Sequence, residues 1–136
     1  MELEPYLHFN GTCEEALNFY AKVFGGEITS INRFEGSPME ANCPPDWKNK
    51  IMHANFVAPS LKFMASDGQP GSNADTKETR VSLSLAGKDE AEGQRIFDAL
   101  ADGGNVEVPY SKQFWGATFG MLTDKYGIDW MINVQP

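Results

Sequence analysis

Two histidines are the side chains of this sequence best suited to acid–base or ligand-binding chemistry. His8 and His53 are its only histidines, and each lies among apolar neighbours in a stretch with the alternation of a β-strand. An imidazole can bind a ligand or transfer a proton, yet a single histidine on a strand is more often a packed residue with a hydrogen bond. Both interpretations stay open, and alternation places Asn55 on the same face as His53.

Three polar residues share one face of a later predicted strand. Arg80, Ser82 and Ser84 alternate there with apolar residues. An arginine on a cavity face favours an anionic or carbonyl-bearing ligand, but a salt bridge with a carboxylate explains the same residue equally well. We therefore expect this face either to bind a ligand or to hold a structural ion pair.

Large apolar side chains are further candidates for a binding site. Trp115, Phe119 and Met121 fall on one predicted strand. Together with Met64 and Met131 they suit the apolar floor of a ligand cavity, although core packing accounts for the same residues.

Trp47 belongs to the longest predicted loop, residues 35–50. The loop contains three prolines and cannot form a regular strand. Because loops seldom bury an indole without a reason, we expect Trp47 to act as a lid over a cavity or as a dimer contact.

The elements that must position these residues begin with a strand, a helix and three further strands. The pattern predicts the strands at 3–10, 27–34, 51–58 and 61–66. It predicts a helix that starts with a capping box at Thr12 and Glu15 and ends at Gly25-Gly26. A linker rich in glycine and polar residues follows at 67–77.

The same order of elements returns after the linker. The pattern predicts a helix capped by Asp89 and stopped by Gly103-Gly104, with strands at 79–86, 105–110, 115–123 and 128–134. A single shift carries the first helix stop onto the second and Phe19 onto Phe97. The repeat predicts an α+β fold of two tandem βαβββ modules, about 1–68 and 77–136, whose curved mixed sheets surround a cavity within one domain, 1–136.

The composition limits the classes of function. The 136 residues carry a formal net charge of −8, with 41% hydrophobic residues. This balance argues against nucleic acid or an anionic membrane as partner, because both need clustered Lys and Arg. The N-terminus lacks the pattern of a signal peptide, so we expect a cytoplasmic protein whose two cysteines, Cys13 and Cys43, remain thiols.

Several strings resemble a known family over nearly the whole chain. They are Pro5-Tyr6-Leu7, Asn10-Gly11-Thr12-Cys13-Glu14-Glu15-Ala16-Leu17, Phe19-Tyr20, Val23-Phe24-Gly25-Gly26, Met52-His53-Ala54, Met64-Ala65-Ser66-Asp67, Trp115-Gly116, Phe119-Gly120, Thr123-Asp124-Lys125-Tyr126-Gly127 and Trp130. These strings look like the PhnB-like branch of the vicinal oxygen chelate superfamily, the superfamily of glyoxalases, bleomycin-resistance proteins and dioxygenases. PhnB-like sequences are often called 3-demethylubiquinone 3-methyltransferases, but this chain contains no G-x-G-x-x-G motif.

The resemblance implies paired modules around a shared cavity, usually in a homodimer. In metal-dependent relatives, the ligands come from the first and last strand of each module. In this sequence, the positions that correspond to those metal ligands fall near Pro5, Met64, Arg80 and Met131. None is a good ligand for a divalent metal, although the polarity of the first strand would instead turn Tyr6 and His8 toward the cavity. We therefore expect neither a metal nor another cofactor.

The first hypothesis for function is a small organic molecule bound in a mostly apolar cavity. The ligand-binding residues would be His8, His53, Asn55, Arg80, Ser82, Trp115 and Met131. Binding itself can be the function, so whether the protein is an enzyme stays open. The alternatives are a metal-dependent lyase or isomerase of the same superfamily, and a non-catalytic interaction module whose cavity is filled by methionine and aromatic residues.

Overall fold

The computed structural model describes residues 2–68 and 81–136. The chain forms two compact units that divide between Thr76 and Lys77. Arg80 and most of the predicted linker lie outside the described residues, and the union of the two modules in one domain stays a prediction. No helix within the described ranges is long and apolar enough to cross a membrane.

In the first unit, one helix packs on a four-stranded mixed sheet. The elements are β1 (Tyr6–Phe9), α1 (Cys13–Phe24), β2 (Glu27–Arg33), β3 (Ile51–Ala58) and β4 (Leu61–Asp67). The strand order is β1-β4-β3-β2, in which β1 runs parallel to β4 and the other pairs are antiparallel. The predicted loop between β2 and β3 contains two short 3-10 helices, Glu40–Asn42 and Pro45–Trp47.

The second unit repeats this arrangement. Its elements are β5 (Leu83–Gly87), α2 (Glu90–Ala101), β6 (Asn105–Lys112), β7 (Thr118–Thr123) and β8 (Asp129–Val134). The strand order is β5-β8-β7-β6, with β5 parallel to β8 and the other pairs antiparallel. The predicted α+β fold of two tandem βαβββ modules is therefore confirmed.

One predicted strand starts too early in the sequence. Trp115 was expected on β7, but it lies in the connection from β6 to β7. The connection closes as a tight turn because Gly116 adopts a φ of 98° and its N–H donates to the carbonyl of Gln113, 3.0 Å away. The alternation of apolar residues did not reveal this turn.

Each helix packs on one face of its own sheet, where the largest apolar side chains are buried. In the first unit they include Leu7, Phe9, Leu17, Tyr20, Phe56 and Phe63. In the second unit they include Phe97, Leu100, Leu122, Trp130, Ile132 and Val134. Successive strand residues point to opposite faces, so the intervening residues occupy a face that no helix of the same unit covers. We call this the open face of each sheet.

The residue that caps the start of α1 is distant from the helix in sequence. Thr12 makes no side-chain hydrogen bond to the helix, so the predicted capping box is wrong. The carboxylate of Asp67 takes its place: Oδ1 accepts from the backbone N–H groups of Gly11 (2.8 Å) and Cys13 (2.9 Å), and Oδ2 from that of Ile51 (2.9 Å). Parallel pairing of β1 with β4 places this buried residue beside the start of the helix.

The other helix signals agree with the structure. Asp89 caps α2 by accepting two hydrogen bonds from backbone N–H groups of the first turn. Gly25, with a left-handed φ of 67°, is the C-cap of α1. α2 ends instead at Asp102, whose backbone is extended, and Gly103 supplies a φ of 76° to the turn that follows. The following glycines, Gly26 and Gly104, lie so close to a strand that a Cβ atom would clash with its backbone. In both modules the second glycine of the Gly-Gly pair therefore allows the chain to pass close to the sheet.

A second buried aspartate organises the turn between β7 and β8. The Oδ1 atom of Asp124 accepts from the backbone N–H groups of Tyr126 (2.9 Å) and Ile128 (3.0 Å), and its Oδ2 atom accepts from the indole N–H of Trp130 (2.8 Å). Gly127 supplies the positive φ of the turn, as predicted. The carboxylate thus joins the hairpin to the core.

The two cysteines are free thiols. Cys13 is fully buried, and its burial, together with the nearby charges of Asp67 and Glu14, raises the pKa of its thiol. A thiol that resists ionisation is a poor nucleophile. Cys43 is partly exposed, and its thiol donates to the carbonyl of Met39 at 3.3 Å.

The first prediction concerns the cap of α1. Asp67→Ala leaves three backbone N–H groups without their acceptor, and each buried donor left unsatisfied costs about 1–3 kcal/mol. We expect the free energy of unfolding, measured by urea denaturation, to fall by at least about 3 kcal/mol. The exposed Asp46→Ala is the control and should stay within about 0.5 kcal/mol of wild type. Equal stability of the two variants would contradict the assignment.

Candidate functional site

The open face of the first sheet carries three neighbouring aromatic rings. Tyr6 and His8 on β1 stack with ring centroids 4.8 Å apart and an interplanar angle of 28°. The ring of His53, on β3, lies 5.9 Å from that of Tyr6, centroid to centroid. We call Tyr6, His8 and His53 the aromatic cluster. The structure thus brings together the two histidines that are far apart in sequence.

Cross-strand pairing extends the aromatic cluster over the sheet. Met64 on β4 pairs with Tyr6 on one side and with Asn55 on the other. Asn55 in turn pairs with Ser30 on β2. All four residues are at least partly exposed. A thioether, an amide and a hydroxyl therefore lie in one row beside the rings.

This combination suits a planar, mostly apolar molecule with a polar edge. Tyrosine and imidazole rings offer flat surfaces for stacking, and the thioether adapts its shape to an aromatic neighbour. The imidazole nitrogens and the amide of Asn55 can each donate or accept a hydrogen bond. Few, well-placed polar groups on an apolar surface are typical of small-molecule sites.

The positions that the resemblance assigns to metal ligands do not form a metal-binding set. On β1 it is Tyr6, and not Pro5, that pairs with Met64, while Ser84 pairs with Met131 in the second unit. A phenol, a hydroxyl and thioethers are poor ligands for divalent metals. Within residues 2–68 and 81–136, no three His, Cys, Asp or Glu side chains gather closely enough to hold an ion. These residues do not fit the metal of the metal-dependent relatives.

The open face of the second sheet is mainly apolar. Met131 on β8 pairs with Ser84 on β5 and with Met121 on β7. Phe119 lies on the same face as Met121, and its ring centroid is 6.3 Å from that of Trp115. Most of the predicted apolar floor therefore comes together in this unit, whereas Met64 belongs to the other one.

The remaining predicted site residues lie outside the strands or outside the described residues. Trp115 is 54% exposed in the connection before β7, and its ring meets that of Phe114, which is 97% exposed, edge to face at 5.0 Å. Ser82 precedes β5 and is exposed. Arg80 lies outside the described residues, so its role stays a prediction. That the two open faces line one cavity also stays a prediction.

Asn133 is a residue of the second open face that sequence reasoning missed. It pairs with Ala86 on β5 and with Phe119 on β7, and it alternates with Ile132 and Val134, which are buried under α2. Its Oδ1 atom is buried and has no hydrogen-bond partner among the residues that the structure describes. The only sign of this residue in the sequence was an asparagine between two aliphatic residues of a predicted strand.

A polar cleft of about 530 Å³ lies beside the start of α1. Arg33 forms a bidentate ion pair with Glu14, at 2.9 and 3.1 Å, and this hydrogen bonding lowers the pKa of the Glu14 carboxyl. Lys50 donates to the carbonyl of Gly11 at 2.8 Å, and Asp67 accepts its three backbone bonds. These charged groups are engaged in holding the loop and the helix, and we assign the cleft no ligand.

Trp47 anchors the long loop to its own unit. Its indole N–H donates to the carbonyl of Gly68 at 3.0 Å. Its ring packs against Gly11, where a Cβ atom would come within 3.3 Å of the indole, and the ammonium of Lys50 lies 5.9 Å from the ring centroid. These contacts hold the tryptophan within its own unit, and its role as a lid or as a dimer contact stays a prediction.

The fold is similar to that of the glyoxalase and bleomycin-resistance class. It is similar to a glyoxalase/bleomycin resistance protein/dioxygenase family enzyme from Burkholderia phytofirmans PsJN, with a TM-score of 0.66 over 98% of this chain and 97% of that chain. The sequence identity is 12%, so this likeness concerns the fold alone.

Closer relatives define the family. Residues 1–133 match the family model described as 3-demethylubiquinone-9 3-methyltransferase. Protein YjdN of Escherichia coli (strain K12) is 37% identical over 144 residues, covering 98% of this chain and 95% of that protein. The chain therefore belongs to this family, and the PhnB-like resemblance is confirmed.

Two solved structures agree with this assignment. Protein PA1353 from Pseudomonas aeruginosa is 42% identical, with a TM-score of 0.85 over 99% of this chain and 98% of that chain. A PhnB protein from Bacillus cereus is 30% identical, with a TM-score of 0.82 over 98% of this chain and 99% of that chain. The similarity extends over both units of the chain.

Proposed function

We propose that this protein binds a small organic molecule on the open faces of its sheets, through side chains and without a metal. The observation that carries the proposal is the aromatic cluster on the first sheet. Its three rings meet on a face that no helix of the same unit covers, and Tyr6 remains 37% exposed. An uncovered group of aromatic side chains on a soluble fold is typical of a binding surface.

The same residues indicate the kind of molecule. A flat ring can stack on the pair of Tyr6 and His8 while its polar edge meets the imidazole of His53 or the amide of Asn55. The second sheet, taken by itself, offers Met131 and Trp115 for apolar contacts with a molecule of the same kind. Arg80 and Ser82 remain candidates for an anionic or carbonyl group.

We do not propose methyl transfer, although the family carries a methyltransferase name. Methyl donors of the nucleotide type are commonly held by a glycine-rich turn between a strand and a helix in a doubly wound sheet. The sequence has no such motif, and the two described units are βαβββ modules with antiparallel strands.

A second candidate is a metal-dependent lyase or isomerase of the same superfamily. It is favoured by the presence of His8 and His53 in one cluster, because imidazole is the commonest protein ligand for transition metals. Two imidazoles alone do not complete a site that needs three or four ligands. This candidate therefore requires further ligands that the described residues do not bring to the cluster.

We also propose a cytoplasmic homodimer. The support is the exposed aromatic pair Phe114 and Trp115 and the sheet edges that each unit leaves. Light scattering at micromolar concentrations should give twice the mass of one chain. The mass of a single chain across that range would contradict the dimer.

The ligand site is tested by titration of protein labelled with ¹³C at the methionine methyl groups. Indole, benzimidazole and benzoate serve as probes, and we expect at least one of them to shift the Met64 methyl signal saturably. His53→Ala should weaken that binding about fivefold, since it removes one aromatic contact. Its melting temperature should change little, because His53 lies outside the core.

The control for this titration is Val57→Ala. Val57 lies on the same strand and the same face as His53 but outside the aromatic cluster, so its removal should leave binding unchanged. Failure of all three probes to shift Met64, or equal affinities of the two variants, would contradict the proposal.

A further inference from the structure

We infer that Asn133 recognises a hydrogen-bond donor, an aromatic N–H or O–H group, of a molecule bound on the second open face. This inference rests on the proposed function and specifies its ligand. It comes from the one buried side-chain oxygen that finds no hydrogen-bond partner among the described residues, the Oδ1 atom of Asn133.

The position of Asn133 in the sheet favours a ligand over a structural partner. Its direct neighbours across the strands are Ala86 and Phe119, which offer no side-chain group for a hydrogen bond. The residues before and after it on β8, Ile132 and Val134, pack under α2. An aliphatic residue at this position would pack equally well and leave no polar atom unsatisfied.

The surroundings of Asn133 have the shape and chemistry for an aromatic ring. On β5 the small residues Ser84 and Ala86 are exposed and leave space above the sheet. On the other side, Phe119 and Trp115 supply ring faces, and Met131 lies one row away on β8. Asn133 itself is partly exposed, and a rotation of its side chain would bring the buried Oδ1 atom to a ligand on this face.

The chemistry of the amide determines the class of ligand. A carbonyl oxygen accepts hydrogen bonds and cannot donate them, so its missing partner must be a donor. An apolar surface that carries one buried acceptor discriminates strongly against a molecule of the same shape without the donor, because the acceptor then stays unsatisfied. Indole and 1-methylindole differ in this one group and serve as matched probes.

The experiment measures both probes on wild-type protein and on Asn133→Leu, with the methyl signals of Met121 and Met131 as readout. We expect wild type to bind indole at least about fivefold more tightly than 1-methylindole. In Asn133→Leu that preference should disappear while 1-methylindole still binds. The melting temperature of Asn133→Leu should rise by about 2–5 °C, because a buried unsatisfied oxygen is removed.

Two further variants serve as a second test of Asn133 and as a control. Asn133→Ala should lose the preference in the same way if leucine is too large for the site. Val57→Ala changes an exposed residue of the first sheet, outside the second open face, and should keep the preference for indole.

The outcomes separate this inference from the proposed function. Equal binding of the two probes by wild type, tighter binding of 1-methylindole, or a preference that persists in Asn133→Leu would overturn the role of Asn133. A lower melting temperature of both Asn133→Leu and Asn133→Ala would also overturn it, because the oxygen would then have a structural partner. If the Met64 signal responds to the probes of the first sheet and Met131 does not, the inference fails and the proposed function stands.

Discussion

The structure depends on one geometric constraint: a single helix covers only one face of a four-stranded sheet. In each unit the apolar residues of alternate strand positions pack under α1 or α2. The residues between them are left on the open face, where the sequence places rings, thioethers, amides and hydroxyls. The candidate site is therefore a consequence of the fold, since the alternation that builds the core also selects the side chains that remain available for binding.

Two buried aspartates stabilise this arrangement through hydrogen bonds. Asp67 joins the end of β4 to the start of α1 and to β3, and Asp124 joins the turn before β8 to Trp130. A carboxylate with three hydrogen-bond donors is satisfied despite its burial, so each aspartate fixes the backbone around it. Both aspartates lie in strings that carry the family resemblance, which gives those strings a structural meaning.

The periodic part of the structure could be predicted from the sequence. Period-two alternation placed Asn55 beside His53, and the Gly-Gly pairs marked both helix ends. The predictions that were wrong concern features that depend on contacts between distant residues or on turn geometry. The local pattern at Thr12 could not reveal that Asp67 caps the helix, and alternation near Trp115 hid the turn at Gly116. For Asn133 the residue type was visible, but its unsatisfied oxygen depends on its neighbours across the strands.

The central claim is that the aromatic cluster binds its ligand through side chains and not through a metal. Elemental analysis of protein purified without chelator tests this claim most directly. We expect far less than one equivalent of Zn, Ni, Mn or Fe per chain, with no change in His8→Ala or His53→Ala. A stoichiometric metal that survives desalting and is lost in either histidine variant would contradict the account and favour the metal-dependent enzyme.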